Sequence, residues 1–172
     1  MEVTLFHGGK DIDKTYRYGY QPSGGKDRYE YGAGLYLTAD ESVAQSYAKG
    51  SRVVFACTVD LDPSKEINKI ILDEAGLDQC LNTLYFAGLG KASVKKMREY
   101  FLEECPNGVP LSWVVNHLVN NDMAKRFAKA INTLVVDAGC THEITTFRSA
   151  QLVIVYDFQI IKSIKKVEKL KK

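Results

Sequence analysis

The first sixty residues show short runs with the two-residue apolar period of β-strands, and one helical run between them. The runs at 2–6, 34–38 and 52–60 predict three strands, and the third is apolar on both sides, as a central strand would be. After the second run, Thr38-Ala39-Asp40-Glu41 has the spacing of a capping box, in which the threonine hydroxyl accepts from an early helix N–H and the glutamate reaches back. A helix is therefore predicted directly after the second strand.

The apolar spacing becomes helical between residues 65 and about 131. Apolar residues recur there every three or four positions, which predicts three or four short helices with solvated polar faces. Runs rich in β-branched residues return at 133–137, 143–147 and 151–157, and the polar connection between the last two is typical of a hairpin. The order of elements predicts an α+β protein with an inserted helical block.

Length and composition describe one ordinary globular domain over 1–172. Of the 172 residues, 45% are hydrophobic and 26% charged, and the net charge of +2 is too small to indicate a nucleic-acid partner by itself. No apolar run suits a bilayer and the first residues lack a signal-peptide pattern, so we expect a cytoplasmic protein with four reduced cysteines. Neither histidines nor cysteines show metal-ligand spacing, and no metal is expected. The basic tail 162–172 fits both a solvated end and a phosphate-binding arm.

Tyr36 and Tyr47 are candidates for binding a flat ligand. One lies on the second predicted strand and the other about two turns into the helix that follows it. Two aromatic rings placed in this way can face each other across a slot wide enough for a planar heterocycle. The spacing alone also fits two tyrosines packed in the core.

Three segments of the chain match the motifs of one known family. They are Phe6-His7-Gly8, the strand Gly34-Leu35-Tyr36-Leu37-Thr38 with Ala44 and Tyr47 behind it, and Gln151-Leu-Val-Ile-Val-Tyr-Asp157 running into 159–164. Together they resemble the ADP-ribosyltransferase superfamily. The similarity is to its histidine–tyrosine–glutamate branch, which includes poly(ADP-ribose) polymerases, diphtheria-type toxins and small bacterial and phage enzymes.

The resemblance implies a fold and a ligand. The fold would be a split, mixed β-sheet with residues of about 65–131 as an insertion, and NAD⁺ would bind as a substrate. The Gly8 backbone would bond the nicotinamide carboxamide, Tyr36 and Tyr47 would sandwich the nicotinamide ring, and His7 would bond the adenosine-side ribose hydroxyl. A histidine that caps a strand end is the alternative for His7.

The sequence departs from the family's pattern at two positions. The family's catalytic glutamate holds the nicotinamide-ribose 2′-hydroxyl and supports positive charge on that ribose. Here its place is taken by Gln151 or, counted back from Asp157, by Leu152. Glu143 on the preceding strand could supply the carboxylate, although a buried structural glutamine and a solvent-facing glutamate are the alternatives for these two residues. Ala44 replaces a serine that contacts the carboxamide in the polymerases.

The resemblance implies that the enzyme transfers single ADP-ribose units and does not form a polymer. The catalytic residues would be His7, Tyr36, Gln151 and Glu143. The acceptor would be a nucleic acid or a protein, and the protein a prokaryotic or phage toxin or defence effector with a neutralising antitoxin or inhibitor as a further partner. A catalytically inactive module that binds NAD⁺ or a partner is the alternative. A third hypothesis is a relative of the RNA 2′-phosphotransferases, which would need a cluster of basic residues.

Positive residues in the loop before the second strand could bind the NAD⁺ pyrophosphate. Arg17, Lys26 and Arg28 are the candidates, because guanidinium and ammonium groups pair with phosphate oxygens. Solvated loop charges are the alternative reading of the same residues.

Overall fold

The computed structural model describes residues 1–9, 34–48, 53–147 and 149–167. Within these ranges the chain has an α+β fold and divides into two compact units. Unit 1 comprises the described residues up to Pro63 and from Thr141 onward, and unit 2 comprises 64–140.

The described chain contains eight strands, five α-helices and three short 3₁₀ helices. In chain order the elements are β1 (Glu2–Gly8), β2 (Leu35–Thr38), α1 (Glu41–Ala48), β3 (Val54–Asp60), β4 (Ile71–Leu72), α2 (Glu74–Phe86), α3 (Lys91–Glu104), β5 (Val109–Pro110), α4 (Leu111–Asn120), α5 (Ala128–Asp137), β6 (His142–Phe147), β7 (Ala150–Val155) and β8 (Ile161–Val167). In this part of the chain, no helix has the length and apolar character needed to cross a bilayer.

Unit 1 is built on one six-stranded sheet in the order β6-β7-β2-β1-β3-β8. All five neighbouring pairs are antiparallel, so the expected mixed sheet is wrong for the described strands. The expected hairpin of β6 and β7 is confirmed, with pairing from His142–Val155 to Phe147–Ala150. Ser149 turns this hairpin with a φ of 65°, a left-handed conformation that substitutes for the missing Asn-Gly signal.

The two faces of the sheet are buried in different ways. One face, here called the core face, carries the larger apolar cluster, formed by Leu5, Leu35, Leu37, Phe55, Cys57, Val59, Leu61, Val153, Val155 and Ile161. The other, here called the α1 face, is covered at β1 and β3 by helix α1, whose Ala44 and Ala48 pack on Val54 beside Phe6 and Val167. Since side chains alternate along a strand, the pairings below assign each candidate residue to one face.

Unit 2 consists of four helices and the small β4–β5 sheet. The apolar positions that predicted its helices are buried, including Leu77, Leu81 and Leu84 on α2 and Val114 and Leu118 on α4. The sequence pattern therefore placed the helical core of this unit correctly.

The strand expected at 133–137 is wrong, because these residues form the last turns of helix α5. Its run Thr-Leu-Val-Val, with three β-branched residues, suggests a strand when taken by itself. The buried residues Ile131, Leu134 and Val135 follow the three- and four-residue spacing of one helix face instead, and tertiary burial of that face overrides the local propensity. The helical block therefore runs further than the expected limit near 131.

The four cysteines should differ sharply in reactivity. Burial raises the pKa of the Cys57 thiol to about 12, and burial followed by the charge of Asp137 raises that of Cys80 to about 11. Cys140 is buried as well, whereas Cys105 is partly accessible. Because the thiolate is the nucleophile, we expect a maleimide or iodoacetamide to label Cys105 alone in the folded protein near pH 8.

Mass spectrometry after partial labelling measures this directly. Labelling of Cys57 at the rate of Cys105 under native conditions would contradict the burial described here. The unfolded chain is the control, in which all four thiols should react.

Candidate functional site

Gly8 allows helix α1 to lie directly on strand β1. A Cβ atom built on Gly8 would stand 1.6 Å from the Ala44 carbonyl oxygen and 3.1 Å from the Ala48 nitrogen. Only a residue without a side chain fits this approach of helix to strand. The contact fixes the helix segment that contains Tyr47, and it buries the Ala44 side chain against the sheet.

The start of α1 is capped by Asp40 and not by the expected Thr38 capping box. The Asp40 carboxylate accepts from the Ser42 backbone N–H at 2.8 Å and from the Ser42 hydroxyl at 2.6 Å, and the Thr38 hydroxyl accepts from the Asp40 N–H at 3.2 Å. These hydrogen bonds to Ser42 hold the pKa of the exposed Asp40 carboxyl below its usual value. Asp40 is the better cap because the helix begins at Glu41, one residue after it.

The backbone of Gly8 points away from β3. At the two ends of the β1–β3 ladder, the Gly9 N–H donates to the Val53 carbonyl and the Leu61 N–H donates to the Met1 carbonyl. Odd-numbered residues of β1 therefore form the hydrogen-bonded pairs with β3, and even-numbered residues such as Gly8 form the non-hydrogen-bonded pairs. Both the N–H and the C=O of Gly8 are therefore directed to the opposite side of the strand, where β2 is the neighbour.

The ladder between β1 and β2 contains one pair, Phe6 with Thr38. In a regular ladder the next pair would join Gly8 to Tyr36, and among the described pairings it is not formed. The Tyr36 carbonyl, which would be the acceptor in that pair, accepts from the Nδ1–H of His7 at 3.0 Å. We call the edges of the Gly8 and Tyr36 backbone, with the His7 ring beside them, the β1–β2 opening.

The bond to Tyr36 defines the tautomer of the neutral His7 ring. A carbonyl can only accept, so the bond to Tyr36 places a proton on Nδ1 and leaves Nε2 with a lone pair in the neutral ring. Burial lowers the pKa of His7, and the bond to the Tyr36 carbonyl offsets this only in part. The ring packs over Gly9, where an added Cβ would stand 3.2 Å from Nε2. His7 therefore offers one fixed acceptor, suited to a hydroxyl donor.

Tyr36 and Tyr47 lie on the same side of the sheet. Tyr36 is half-buried and lies two residues before Thr38, so both side chains are on the same face of β2. The partner of Thr38 is Phe6, which belongs to the α1 face. Tyr47 is 43% exposed on α1 itself. Among the aromatic contacts between described residues, none joins the two rings. The arrangement is compatible with a slot between the rings, which stays a prediction.

Glu143 is buried on the face that carries Tyr36. Ile154 of β7 pairs with Tyr36 on one side and with Glu143 on the other, so these three side chains form one row across the sheet. Glu143 is 8% exposed and accepts from the Tyr156 hydroxyl at 2.8 Å. The solvent-facing alternative for Glu143 is therefore wrong.

Gln151 lies on the other face of the sheet from Tyr36. Its neighbour Leu152 pairs with Thr38 and shares the side of Tyr36, and alternation turns the Gln151 side chain to the opposite side. Gln151 is exposed, so the alternative of a buried structural glutamine is wrong. The two positions considered for the family's glutamate thus hold an exposed amide and a buried leucine.

Sequence reasoning did not single out Tyr156, which joins Glu143 within the site. Its ring is 2% exposed and its hydroxyl donates to the Glu143 carboxylate. The hairpin register contains the signal, because Glu143 pairs with Ile154 and Tyr156 follows on the same face two residues later. The candidate pyrophosphate residues Arg17, Lys26 and Arg28 lie outside the described residues.

Comparison with known proteins gives one structural similarity. Neither a protein-family model nor a curated protein sequence matches this chain. A solved structure described as the crystal structure of an anti-CRISPR protein is similar to it, at 15% sequence identity and a TM-score of 0.44. The similarity covers 97% of this chain and 96% of that chain.

Proposed function

We propose that the protein is a mono-ADP-ribosyltransferase that takes ADP-ribose from NAD⁺ and transfers it to a nucleic acid or a protein. The nicotinamide end of NAD⁺ would bind at the β1–β2 opening, with Tyr36 and Tyr47 on either side of the ring. The resemblance of the three motifs to the ADP-ribosyltransferase superfamily suggests this activity. The geometry of unit 1 supports it in the following ways.

The observation that carries the proposal is the short β1–β2 ladder beside Gly8, in which Phe6 and Thr38 form the one described pair. The N–H and C=O of Gly8 point together into the opening, one as a donor and one as an acceptor. A primary carboxamide has the complementary pair, a C=O and an NH₂, and so can form two hydrogen bonds with an extended backbone segment. Nicotinamide carries such a group on a flat ring.

The three motif segments also meet in the fold although they are far apart in the sequence. β1 with His7, β2 with Tyr36 and β7 with Gln151 are consecutive neighbours in the sheet. The neutral Nε2 of His7 can accept from a ribose hydroxyl, and a tyrosine face attracts the cationic nicotinamide ring of NAD⁺.

In the proposed reaction the bond between ribose C1′ and the nicotinamide nitrogen breaks, and its electron pair leaves with nicotinamide. A nucleophile of the acceptor then forms the new bond to C1′ and loses its proton. Positive charge develops on the ribose in between, and Glu143 is the carboxylate on the Tyr36 face that could stabilise it. This role requires Glu143 to release or share its bond with Tyr156.

A transfer assay with a His7→Asn variant tests the proposal. An asparagine amide can keep the donor that bonds the Tyr36 carbonyl while the acceptor at Nε2 is lost. We expect wild-type protein with NAD⁺ labelled in its adenine to label macromolecules in a cell extract. His7→Asn should reduce the rate roughly ten- to a hundredfold.

An unchanged thermal midpoint of His7→Asn serves as the control for folding. Full activity of a folded His7→Asn variant would contradict the proposed role of His7. Absence of label on nucleic acid and protein alike, with wild-type protein and extracts of several bacteria, would count against transferase activity.

A module that binds NAD⁺ without cleaving it is the second candidate. It is favoured by the carboxylate arrangement, because Glu143 is engaged by Tyr156 and Gln151 faces away from Tyr36. Such a module would bind NAD⁺ with the same dependence on Gly8 and Tyr36 but release no nicotinamide.

The proposal of a mono-ADP-ribosyltransferase further includes a cytoplasmic location, a role as a toxin or defence effector, and an antitoxin or inhibitor as partner.

A further inference from the structure

We infer that the turn between helices α2 and α3 in unit 2 is a contact surface for single-stranded nucleic acid. This surface lies at the end of the helical hairpin that α2 and α3 form, and is here called the hairpin tip. It consists of Tyr85, Phe86, Lys91, Lys95 and Lys96. The inference concerns unit 2 alone and does not depend on NAD⁺ chemistry.

The hairpin tip exposes an aromatic pair. Phe86 is 84% exposed and Tyr85 is 47% exposed, and their rings meet edge to face with centroids 5.6 Å apart. Single exposed apolar residues are common on protein surfaces, but here two large rings lie together at the end of one helix. An edge contact leaves ring faces open, and bases stack on such faces irrespective of their sequence.

The charge of the hairpin tip has one sign. Between Gln79 and Met97 the sequence has three charged residues, Lys91, Lys95 and Lys96, and all three side chains are exposed. None of the salt bridges between described residues involves them. Lys91 and Lys95 are four positions apart on α3, a rise of about 6 Å on one side of the helix.

The acidic residues of this helix pair lie outside the tip, and most of them lie toward its other end. Asp78 and Glu74 at the start of α2 pair with Arg98, with 2.7 Å between Arg98 Nε and Asp78. The tip is therefore positive and aromatic, and the carboxylates lie beyond it, beginning on α3 with Glu99, one turn after Lys95. A polyanion that also offers flat rings complements both features, and single-stranded nucleic acid has this chemistry.

The turn presents these residues without obstruction. Gly88 has a φ of 108°, which suits glycine, and Cβ atoms built on Gly88 and Gly90 would meet nothing within 4 Å. Leu89 is buried and anchors the turn, with its N–H bonded to the Leu84 carbonyl. The aromatic pair and the lysines are thus held on an ordered turn rather than on a free end.

Fluorescence anisotropy with labelled oligothymidylate and oligouridylate tests the inference on the full chain. We expect Phe86→Ala to weaken binding about tenfold, because one stacked base is lost. Lys95→Gln with Lys96→Gln should lower the slope of log affinity against log salt by roughly 1.4, since each phosphate contact on a single strand contributes about 0.7. A duplex of the same length should bind more weakly, because its bases are not open to stacking.

Two controls lie elsewhere on unit 2. Ile71→Ala removes an exposed apolar side chain, and Lys125→Gln with Lys129→Gln makes the same charge change. Both should leave affinity and salt slope as in wild type. Equal losses in tip and control variants, preference for the duplex, or binding of an acidic protein without binding of oligonucleotides would each overturn the inference.

Discussion

Replacing Gly8 with alanine is expected to destabilise the protein by more than about 4 kcal/mol, in the range reached by few single substitutions. The new methyl group would fall 1.6 Å from the Ala44 carbonyl oxygen, far inside van der Waals contact. The obstacle is helix backbone and not the end of a flexible side chain. Helix α1 would have to move off the sheet, which would uncover Ala44, Ala48 and Val54.

Urea unfolding of Gly8→Ala beside Gly90→Ala measures this effect. A Cβ on Gly90 would meet nothing within 4 Å and its φ of −61° suits any residue, so the control should change the unfolding free energy by no more than about 1 kcal/mol. Equal stabilities of the two variants would show that α1 does not lie on Gly8. A Gly8→Ala variant that does not fold at all would also agree with the expected destabilisation.

Removal of the Tyr36 ring is expected to weaken NAD⁺ binding by about ten- to a hundredfold, the range measured for loss of one aromatic stacking partner. Tyr36 stands next to the β1–β2 opening on the face covered by α1. Since the proposed contribution is stacking, Tyr36→Phe should keep most of the affinity and Tyr36→Ala should lose it. Tyr47→Ala should show a similar loss.

Isothermal titration calorimetry with NAD⁺ provides the affinities. Tyr100→Ala in unit 2 is the matched control, because Tyr100 is 45% exposed, close to the 43% of Tyr47. NAD⁺ binding that is unchanged by Tyr36→Ala would place the nicotinamide elsewhere. Equal loss in Tyr36→Phe and Tyr36→Ala would point to the hydroxyl instead of the ring.

Much of the fold could be predicted because its strands and helices carry clear periods. The alternation in 52–60 predicted β3, and the spacing of Leu77, Leu81 and Leu84 predicted α2. The sequence misled where local propensity and tertiary burial differ, as in the β-branched end of α5. It also could not establish strand direction, because antiparallel and parallel pairing depend on the path of the connections.

The candidate site residues stay predictions, and their geometry could be predicted only in part. His7, Gly8, Tyr36 and Tyr47 could be named from motif spacing. The contact between β1 and β2 beside Gly8 could not, because the His7 side chain bonds the backbone of a strand 29 residues away. The environment of Glu143 was missed for a similar reason, since its partner Tyr156 becomes a neighbour only through the hairpin register.

A double-label count of free nicotinamide and macromolecule-bound adenine tests the proposed transfer of ADP-ribose from NAD⁺. NAD⁺ labelled differently in adenine and in nicotinamide is incubated with the protein and a cell extract. We expect one free nicotinamide for each adenine label fixed on a nucleic acid or protein. NAD⁺ that is bound yet recovered intact, or nicotinamide released with no label on any macromolecule, would contradict it.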